Sequence, residues 1–213
     1  MVSSILIENV SKSFGENAVL KNVSATFTGG KIYGIVGRNG SGKTVLMKLI
    51  CGFLPMDAGK ITVNGKALSH GAAIPKGIGA IIEAPGFLPQ YSGYKNLRFL
   101  ADIQRKIGRD EIRLAMKQVG LNPDMRKRVG TYSLGMRQRL GLAQAIMEDP
   151  PILLLDEPMN GLDEAGIQFV RELLQRLRNH GKLILMASHM KEDLDLLCDE
   201  IYRVHEGSLF PQC

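Results

Sequence analysis

Short apolar stretches bounded by turn residues occur in both the first and the last part of the chain. The stretches at 152–155 and 183–187 are apolar on both faces, which is typical of central strands in a parallel sheet. The remaining stretches are short and end at glycine, asparagine or proline, as strands commonly do. The predicted strands are residues 5–10, 23–27, 31–36, 60–63, 78–82, 152–155, 183–187 and 201–205.

Apolar positions three to four residues apart predict helices between these strands. The predicted helices are residues 43–51, 96–107, 111–119, 136–148, 164–179 and 192–198. Because strands alternate with helices and a longer helical segment interrupts them, we predict an α/β fold with a parallel sheet and a helical subdomain. We expect a single domain whose core spans about 1–88 and 149–213, with the helical subdomain at about 89–148.

The composition excludes several broad classes of protein. Hydrophobic residues make up 45% and charged residues 23% of the 213 positions, which is ordinary for a globular domain. No apolar run approaches the roughly 18 residues of a membrane span, and the first ten residues do not have the pattern of a signal peptide. We therefore expect the chain to stay in the cytosol. Cys51, Cys198 and Cys213 lie far apart, which favours neither a zinc site nor a disulfide framework.

A glycine-rich loop lies between the predicted strand at 31–36 and the predicted helix at 43–51. It matches the phosphate-loop pattern G-x-x-x-x-G-K-[ST] with Gly37, Arg38, Asn39, Gly40, Ser41, Gly42, Lys43 and Thr44. Glycines let backbone N–H groups converge on phosphate oxygens, and the helix N-terminus adds positive potential. We expect Lys43 to reach the β- and γ-phosphates of a nucleotide and Thr44 to bind Mg²⁺. A chance glycine turn is the alternative, which the flanking strand and helix disfavour.

Two acidic residues, Asp156 and Glu157, follow the apolar stretch at 152–155. Carboxylates at the C-terminal end of a strand beside a phosphate loop suit a metal ion and a water molecule. We expect Asp156 to hold Mg²⁺ and Glu157 to polarise the attacking water as general base. His189 follows the next buried strand and is expected at the same sheet edge, as a contact of the γ-phosphate. The histidines that we interpret as structural are His70, His180 and His205.

The segment 132–140, Tyr-Ser-Leu-Gly-Met-Arg-Gln-Arg-Leu, resembles the signature L-S-G-G-Q and the following helix of ATP-binding cassette (ABC) transporter nucleotide-binding domains. With the two motifs above, the resemblance covers nearly the whole chain. It implies a P-loop NTPase of the ABC type, with a mixed sheet core, an antiparallel β portion near the N-terminus and a helical subdomain. It also implies that two subunits sandwich ATP, so that Ser133 and the N–H of Gly135 contact the γ-phosphate bound by the partner. A plain helix cap at Ser133 is the alternative.

Other residues match or depart from the family pattern by position. Phe14 matches the aromatic residue that stacks on adenine, with a core aromatic as the alternative. The segment 160–163 matches the D-loop of the dimer interface, and His189 matches the switch histidine. Glu83 stands where the family has a glutamine, which implies a catalytic and Mg²⁺-binding carboxylate that adds negative charge to the site. The other departures are Leu134 and Met136 in the signature and Val45 beside the α-phosphate position.

The resemblance implies an ATP-binding and ATP-hydrolysing subunit that powers a membrane transporter, with ATP and Mg²⁺ as cofactors. The implied partners are a separate integral-membrane permease and a second copy or paralogous subunit in a head-to-tail dimer, at the cytoplasmic face of the cell membrane. The variants at 83–87 and 133–136 resemble the branch that exports bacitracin-like and lantibiotic peptides. This predicts export of an antimicrobial peptide or a similar amphiphile.

Two other functions remain open at this point. The net charge of +6 is compatible with a soluble ABC-type ATPase that acts on nucleic acid, although the single cassette and the absence of heptads argue against a nucleic-acid partner. Glu83 and the altered signature are compatible with a module that binds nucleotide without hydrolysing it. Residues 95–139 contain 12 basic and 4 acidic residues. This excess of positive charge is compatible with a solvated helix surface, and also with a face directed toward anionic headgroups or acidic permease loops.

Overall fold

The computed structural model describes residues 3–68, 75–83 and 85–212, so that His70, Ala84 and Cys213 lie outside the described residues. The strands are β1 (Ser4–Phe14), β2 (Asn17–Thr28), β3 (Ile32–Val36), β4 (Ala58–Val63), β5 (Lys66–Ala67), β6 (Ile78–Ile81), β7 (Ile152–Asp156), β8 (Leu183–Ala187), β9 (Glu200–His205) and β10 (Ser208–Gln212). The helices are α1 (Lys43–Ile50), α2 (Gly93–Gln104), α3 (Arg109–Gln118), α4 (Leu134–Ile146), α5 (Glu164–Asn179) and α6 (Lys191–Leu197), with a 3₁₀ turn at Val129–Thr131.

The main sheet has the strand order β10-β9-β3-β8-β7-β6. Its strands β9, β3, β8, β7 and β6 are parallel, and β10 joins the edge in the antiparallel direction. The other sheet is antiparallel, with the order β2-β1-β4-β5. This arrangement is the mixed core and N-terminal antiparallel portion that we predicted. Helices α2, α3 and α4 lie between β6 and β7 in the chain, and the subdomain boundaries stay a prediction.

Both faces of the central strands of the main sheet are buried, each against a different layer. Ile152 and Leu154 of β7 pack into the hydrophobic cluster shared with β1, β2, β4 and α1. Leu153 and Leu155 point the other way, into the cluster shared with α3, α4 and α5. Alternate residues of one strand therefore serve two cores, which explains why this stretch is apolar on both faces.

Helix α4 approaches the sheet more closely than any side chain would allow. A Cβ atom added to Gly79 of β6 would lie only 1.9 Å from the Ala145 carbonyl oxygen of α4. Glycine at this position therefore fixes the C-terminal half of α4 against the sheet. In the described part of the chain, no helix combines the length and the apolar character needed to cross a bilayer.

The two-residue strand β5 was not predicted, and three longer strands differ most from the pattern-based prediction. Strand β1 continues to Phe14 through the polar pair Lys12 and Ser13, and β2 begins at Asn17 rather than near residue 23. Asp57 stabilises the polar extension, because its carboxylate accepts from Lys12 Nζ at 2.7 Å and from the Ser13 N–H at 2.6 Å. Strand β10 was not predicted, since its exposed residues lack apolar alternation and include Pro211.

Candidate active site

The candidate site lies where four neighbouring parallel strands end. Strands β3, β8, β7 and β6 are consecutive in the main sheet, and their carboxyl ends meet at one edge. The phosphate loop follows β3, and His189 follows β8. Asp156 is the last residue of β7, and Glu157 comes directly after it. Glu83 follows β6. The order of the strands therefore brings together residues that are up to 152 positions apart, between the first loop glycine Gly37 and His189.

The phosphate loop has the backbone geometry that its glycines allow. Gly40 and Gly42 have φ angles of 77° and 109°, in the region that side chains disfavour. The Lys43 side chain folds back over the loop, where Nζ donates to the Gly37 carbonyl at 2.8 Å and to the Arg38 carbonyl at 3.2 Å. The ammonium group and the N-terminus of α1 thus face the same space, which suits a phosphate chain.

A hydroxyl and a carboxylate meet beside the phosphate loop. Thr44 Oγ1 donates to Asp156 Oδ2 at 2.7 Å, which places two hard oxygen donors side by side. Among residues 3–68, 75–83 and 85–212, no group of three or more His, Cys, Asp or Glu could hold a metal ion by itself. The donor set fits Mg²⁺, which proteins commonly hold through one or two carboxylates together with the phosphates of a substrate.

Glu157 is held from three sides. Its N–H donates to the Ala187 carbonyl of β8 at 2.9 Å, and its Oε2 lies 2.9 Å from Nδ1 of His189. An ionised carboxylate only accepts, so Nδ1 carries the hydrogen in this contact. From α4, Gln138 Nε2 donates to the carbonyls of Glu157 and Pro158, both at 3.1 Å. The residue also has a left-handed φ of 51°, a strained conformation of the kind that recurs at functional sites.

A cleft of about 630 Å³ connects most of the predicted site residues. Its size is within the range of small-molecule sites. The predicted residues that line it are Phe14, Asn39, Gly40, Gly42, Lys43, Thr44, Val45, Glu83, Asp156 and Glu157. An adjoining depression is lined by the predicted residues Gly37, Arg38, Ser41 and His189, which do not line the cleft. Asn39 and Gly40 line both cavities.

Ser133 and Gly135 line neither of these two cavities in the described chain. Ser133 is the N-cap of α4, where its hydroxyl accepts from the Met136 N–H at 3.1 Å. Asp163 likewise caps α5 through the Gly166 N–H at 3.1 Å. Both cap interpretations therefore describe contacts within this chain, and the contacts of the signature with a partner's nucleotide stay a prediction.

Two contacts of the site were not predicted from the sequence. Gln138 was noted only as part of the signature helix, yet it reaches the backbone of Glu157. Lys48 of α1 was not singled out, yet its Nζ lies 2.6 Å from Glu83 Oε1. The spacing of five residues between Lys43 and Lys48 carries no motif, so that only the folded positions of α1 and β6 reveal the pair.

Phe14 is 48% exposed at the end of β1 and is therefore not a core aromatic. It lines the cleft together with Val19 of β2, and Lys12 Nζ lies 5.4 Å from the centre of its ring. An exposed ring at the mouth of a phosphate-binding cleft offers a stacking surface for a base.

We expect Phe14→Ala to weaken ATP binding about tenfold, because base stacking on an aromatic ring contributes about 1–3 kcal/mol. Phe14→Tyr should bind as the parent does. Isothermal titration with ATP and with tripolyphosphate measures the effect, since the loss should be confined to the ligand that has a base. Phe210→Ala removes a comparably exposed ring from β10 and serves as the control. An equal loss for both ligands would contradict stacking.

A phosphate loop, a hydroxyl–carboxylate pair and a Glu–His pair at one edge of a parallel sheet define the class of P-loop nucleoside triphosphatases. The sequence profile of the ABC transporter family matches residues 20–160. The chain belongs to this family of nucleotide-binding ATPases, as the resemblance of its motifs predicted.

Individual relatives agree with this assignment. The uncharacterized ABC transporter ATP-binding protein YybJ of Bacillus subtilis is 42% identical over 96% of this chain and 94% of its own. The bacitracin transport ATP-binding protein BcrA of Enterococcus faecalis is 39% identical over 95% of this chain and 66% of its own. The dimeric, post-hydrolysis structure of the cassette MJ0796 bound to ADP and Pi is 21% identical, covers 98% and 97% of the two chains, and has a TM-score of 0.88. That structure confirms the predicted fold.

Proposed function

We propose that this ATP-binding subunit of an ABC transporter powers the export of an antimicrobial peptide or a similar amphiphile. The name of the 39% identical relative, a bacitracin transport protein, supports this substrate class. The variant signature and the carboxylate at Glu83 support the same branch. Since hydrolysis must drive transport, the observation that carries the proposal is the Glu157–His189 contact at 2.9 Å in the nucleotide cleft.

In the proposed reaction, Lys43 and the N–H groups at the start of α1 bind the β- and γ-phosphates. Glu157 accepts a proton from the attacking water, and His189 Nδ1 keeps that carboxylate oriented. Thr44, Asp156 and Glu83 would hold Mg²⁺, which supplies charge neutralisation for the phosphates when it is bound. Most of the catalytic effect would then come from positioning and electrostatics in the cleft.

The proposed assembly is a head-to-tail dimer on a membrane permease, at the cytoplasmic face of the membrane. Leu134, the first residue of α4, is 54% exposed, so the signature end of this helix is open to a second copy. Arg105 and Lys106, between α2 and α3, are also exposed, as is Arg109, the first residue of α3, and all three belong to the basic stretch. These positions support contact of that surface with acidic permease loops or anionic headgroups.

We expect the chain, when co-expressed with its proposed permease, to raise bacterial tolerance to the exported peptide severalfold. Bacitracin and a lantibiotic are suitable probes, and the minimum inhibitory concentration is the measurement. The same pair with Glu157→Gln should leave tolerance at the level of the host strain, since assembly persists while hydrolysis stops. Tolerance that does not depend on Glu157, or no change with either peptide, would contradict ATP-driven export of this substrate class.

A further inference from the structure

The ion pair between Lys48 and Glu83 connects the phosphate-loop helix to the end of β6. Lys48 Nζ lies 2.6 Å from Glu83 Oε1, and the side chains are 27% and 63% exposed. Glu83 has a left-handed φ of 63°. For a residue with a Cβ atom this conformation is disfavoured by steric contact with the neighbouring backbone. The chain therefore keeps an unfavourable backbone here while its carboxylate is directed to Lys48.

Stability of the fold does not account for this pair. Exposed ion pairs contribute little to the free energy of unfolding in typical proteins, and this gain does not exceed the cost of the left-handed backbone at Glu83. A glycine at position 83 would adopt the same φ without cost. The Lys48–Glu83 pair is therefore better explained by the other charged groups of the nucleotide cleft.

Glu83 lines the nucleotide cleft together with Asp156 and Glu157, so that three carboxylates face the space assigned to the phosphates. Lys43 provides a positive charge at the phosphate loop, but a triphosphate brings several negative charges of its own. A free carboxylate at position 83 would repel that ligand when no cation is present. Lys48 holds the carboxylate at the rim of the cleft and offsets its charge.

We propose that Lys48 is a positioning residue that holds Glu83 away from the phosphates while no divalent cation is bound and leaves the carboxylate available to hold one that binds with the nucleotide. This inference rests on the proposed binding of ATP with Mg²⁺ in this cleft. The chemistry is an exchange of partners, in which one carboxylate moves between an ammonium group and a hard cation. Lys48 thus makes a carboxylate at position 83 compatible with nucleotide binding both in the absence and in the presence of a divalent cation.

The test is the equilibrium binding of a fluorescent ATP analogue to the purified chain, in EDTA and in saturating Mg²⁺. We expect Lys48→Met to weaken binding about fivefold in EDTA, because the released carboxylate can turn toward the phosphates. In Mg²⁺ the affinity should change by less than about twofold, since the cation then holds the carboxylate. Lys48→Arg keeps the ion pair and should bind like the parent in both buffers.

Lys48→Met in a Glu83→Gln background tests whether Lys48 acts by positioning Glu83 or only by adding positive charge near the cleft. With a neutral amide at position 83 there is nothing to hold, so Lys48→Met should shift the EDTA affinity by less than about twofold. Lys31→Met breaks the similarly exposed Lys31–Glu200 pair before β3 and serves as the matched control. Thermal denaturation of each variant verifies that it is folded.

Three results would decide against the inference. Equal weakening in EDTA and Mg²⁺ would indicate a structural role for Lys48, and an equal effect in the Glu83→Gln background would indicate simple charge loss. Unchanged affinity of Lys48→Met in both buffers would also overturn it while the nucleotide site stands. If the parent chain itself binds no ATP analogue, the proposed function fails as well, so the two failures are distinguishable.

Discussion

Replacing Glu157 with glutamine should lower ATP turnover by about two to four orders of magnitude, the usual contribution of a positioned general base. Glutamine has nearly the same shape, and its amide oxygen can still accept from His189 Nδ1, which lies 2.9 Å from the carboxylate. What it cannot do is take a proton from water. The loss should therefore appear in kcat, while ATP affinity stays at or above that of the parent. Phosphate release under steady-state conditions is the measurement.

Glu172→Gln is the matched control for this change. Glu172 lies on the exposed face of α5, where it accepts from Gln168 Nε2 at 3.1 Å, and it does not line the cleft. The two variants have the same change in charge and shape, so a difference between them reports position alone. Turnover of Glu157→Gln at the level of the control would mean that the base is another group.

Replacing Lys43 with alanine should weaken ATP binding about a hundredfold, which corresponds to about 3 kcal/mol for a lost charged contact in a confined site. The Lys43 side chain is almost fully buried, and its Nζ donates to the carbonyls of Gly37 and Arg38. Alanine removes the charge and leaves the glycine-rich backbone without this support. Titration with ATP and with ADP should show the larger loss for ATP, because Lys43 reaches the γ-phosphate.

Lys182→Ala tests whether the removal of any buried lysine has this effect. The Lys182 side chain is 11% exposed and donates to the Pro150 carbonyl at 2.8 Å and to Asp149 at 2.6 Å, before β8 begins. It resembles Lys43 in burial and in bonding to carbonyl groups but lies at the opposite end of the sheet from the phosphate loop. We expect it to change the unfolding temperature but not ATP affinity. Comparable nucleotide loss in both variants would assign the effect to folding.

The arrangement of the site was predictable where one rule links sequence to position. The glycine loop, Asp156 and His189 each follow an apolar strand, and parallel strands present their carboxyl ends on one side. The phosphate-loop pattern also fixes the geometry of its own backbone, because few other conformations accommodate Gly40 and Gly42. Local sequence was sufficient for these elements, and the helices near 164–179 and 43–51 were predicted for the same reason.

Contacts between distant segments were not predictable in this way. Lys48 and Glu83 meet only because the chain that follows β6 runs beside α1, where Glu83 has a left-handed φ angle. The sequence of residues 78–83 does not predict that φ angle. Gln138 reaches the Glu157 carbonyl only because α4 packs closely on Gly79. The edge strand β10 was missed because exposed strands need no apolar alternation when a neighbouring hairpin partner supplies their hydrogen bonds.

The close packing of α4 on Gly79 holds the C-terminal end of this helix against the sheet, so that a tilt of the helix would pivot about this contact. The pivot is at Ala145, and Gln138 lies seven residues away, about 10 Å along the helix axis. A tilt of about 5° around the pivot would carry Gln138 by about 1 Å, enough to break its 3.1 Å hydrogen bonds to the backbone of Glu157 and Pro158. A force applied at the outer end of α4 would thus reach the backbone of the proposed base through Gln138.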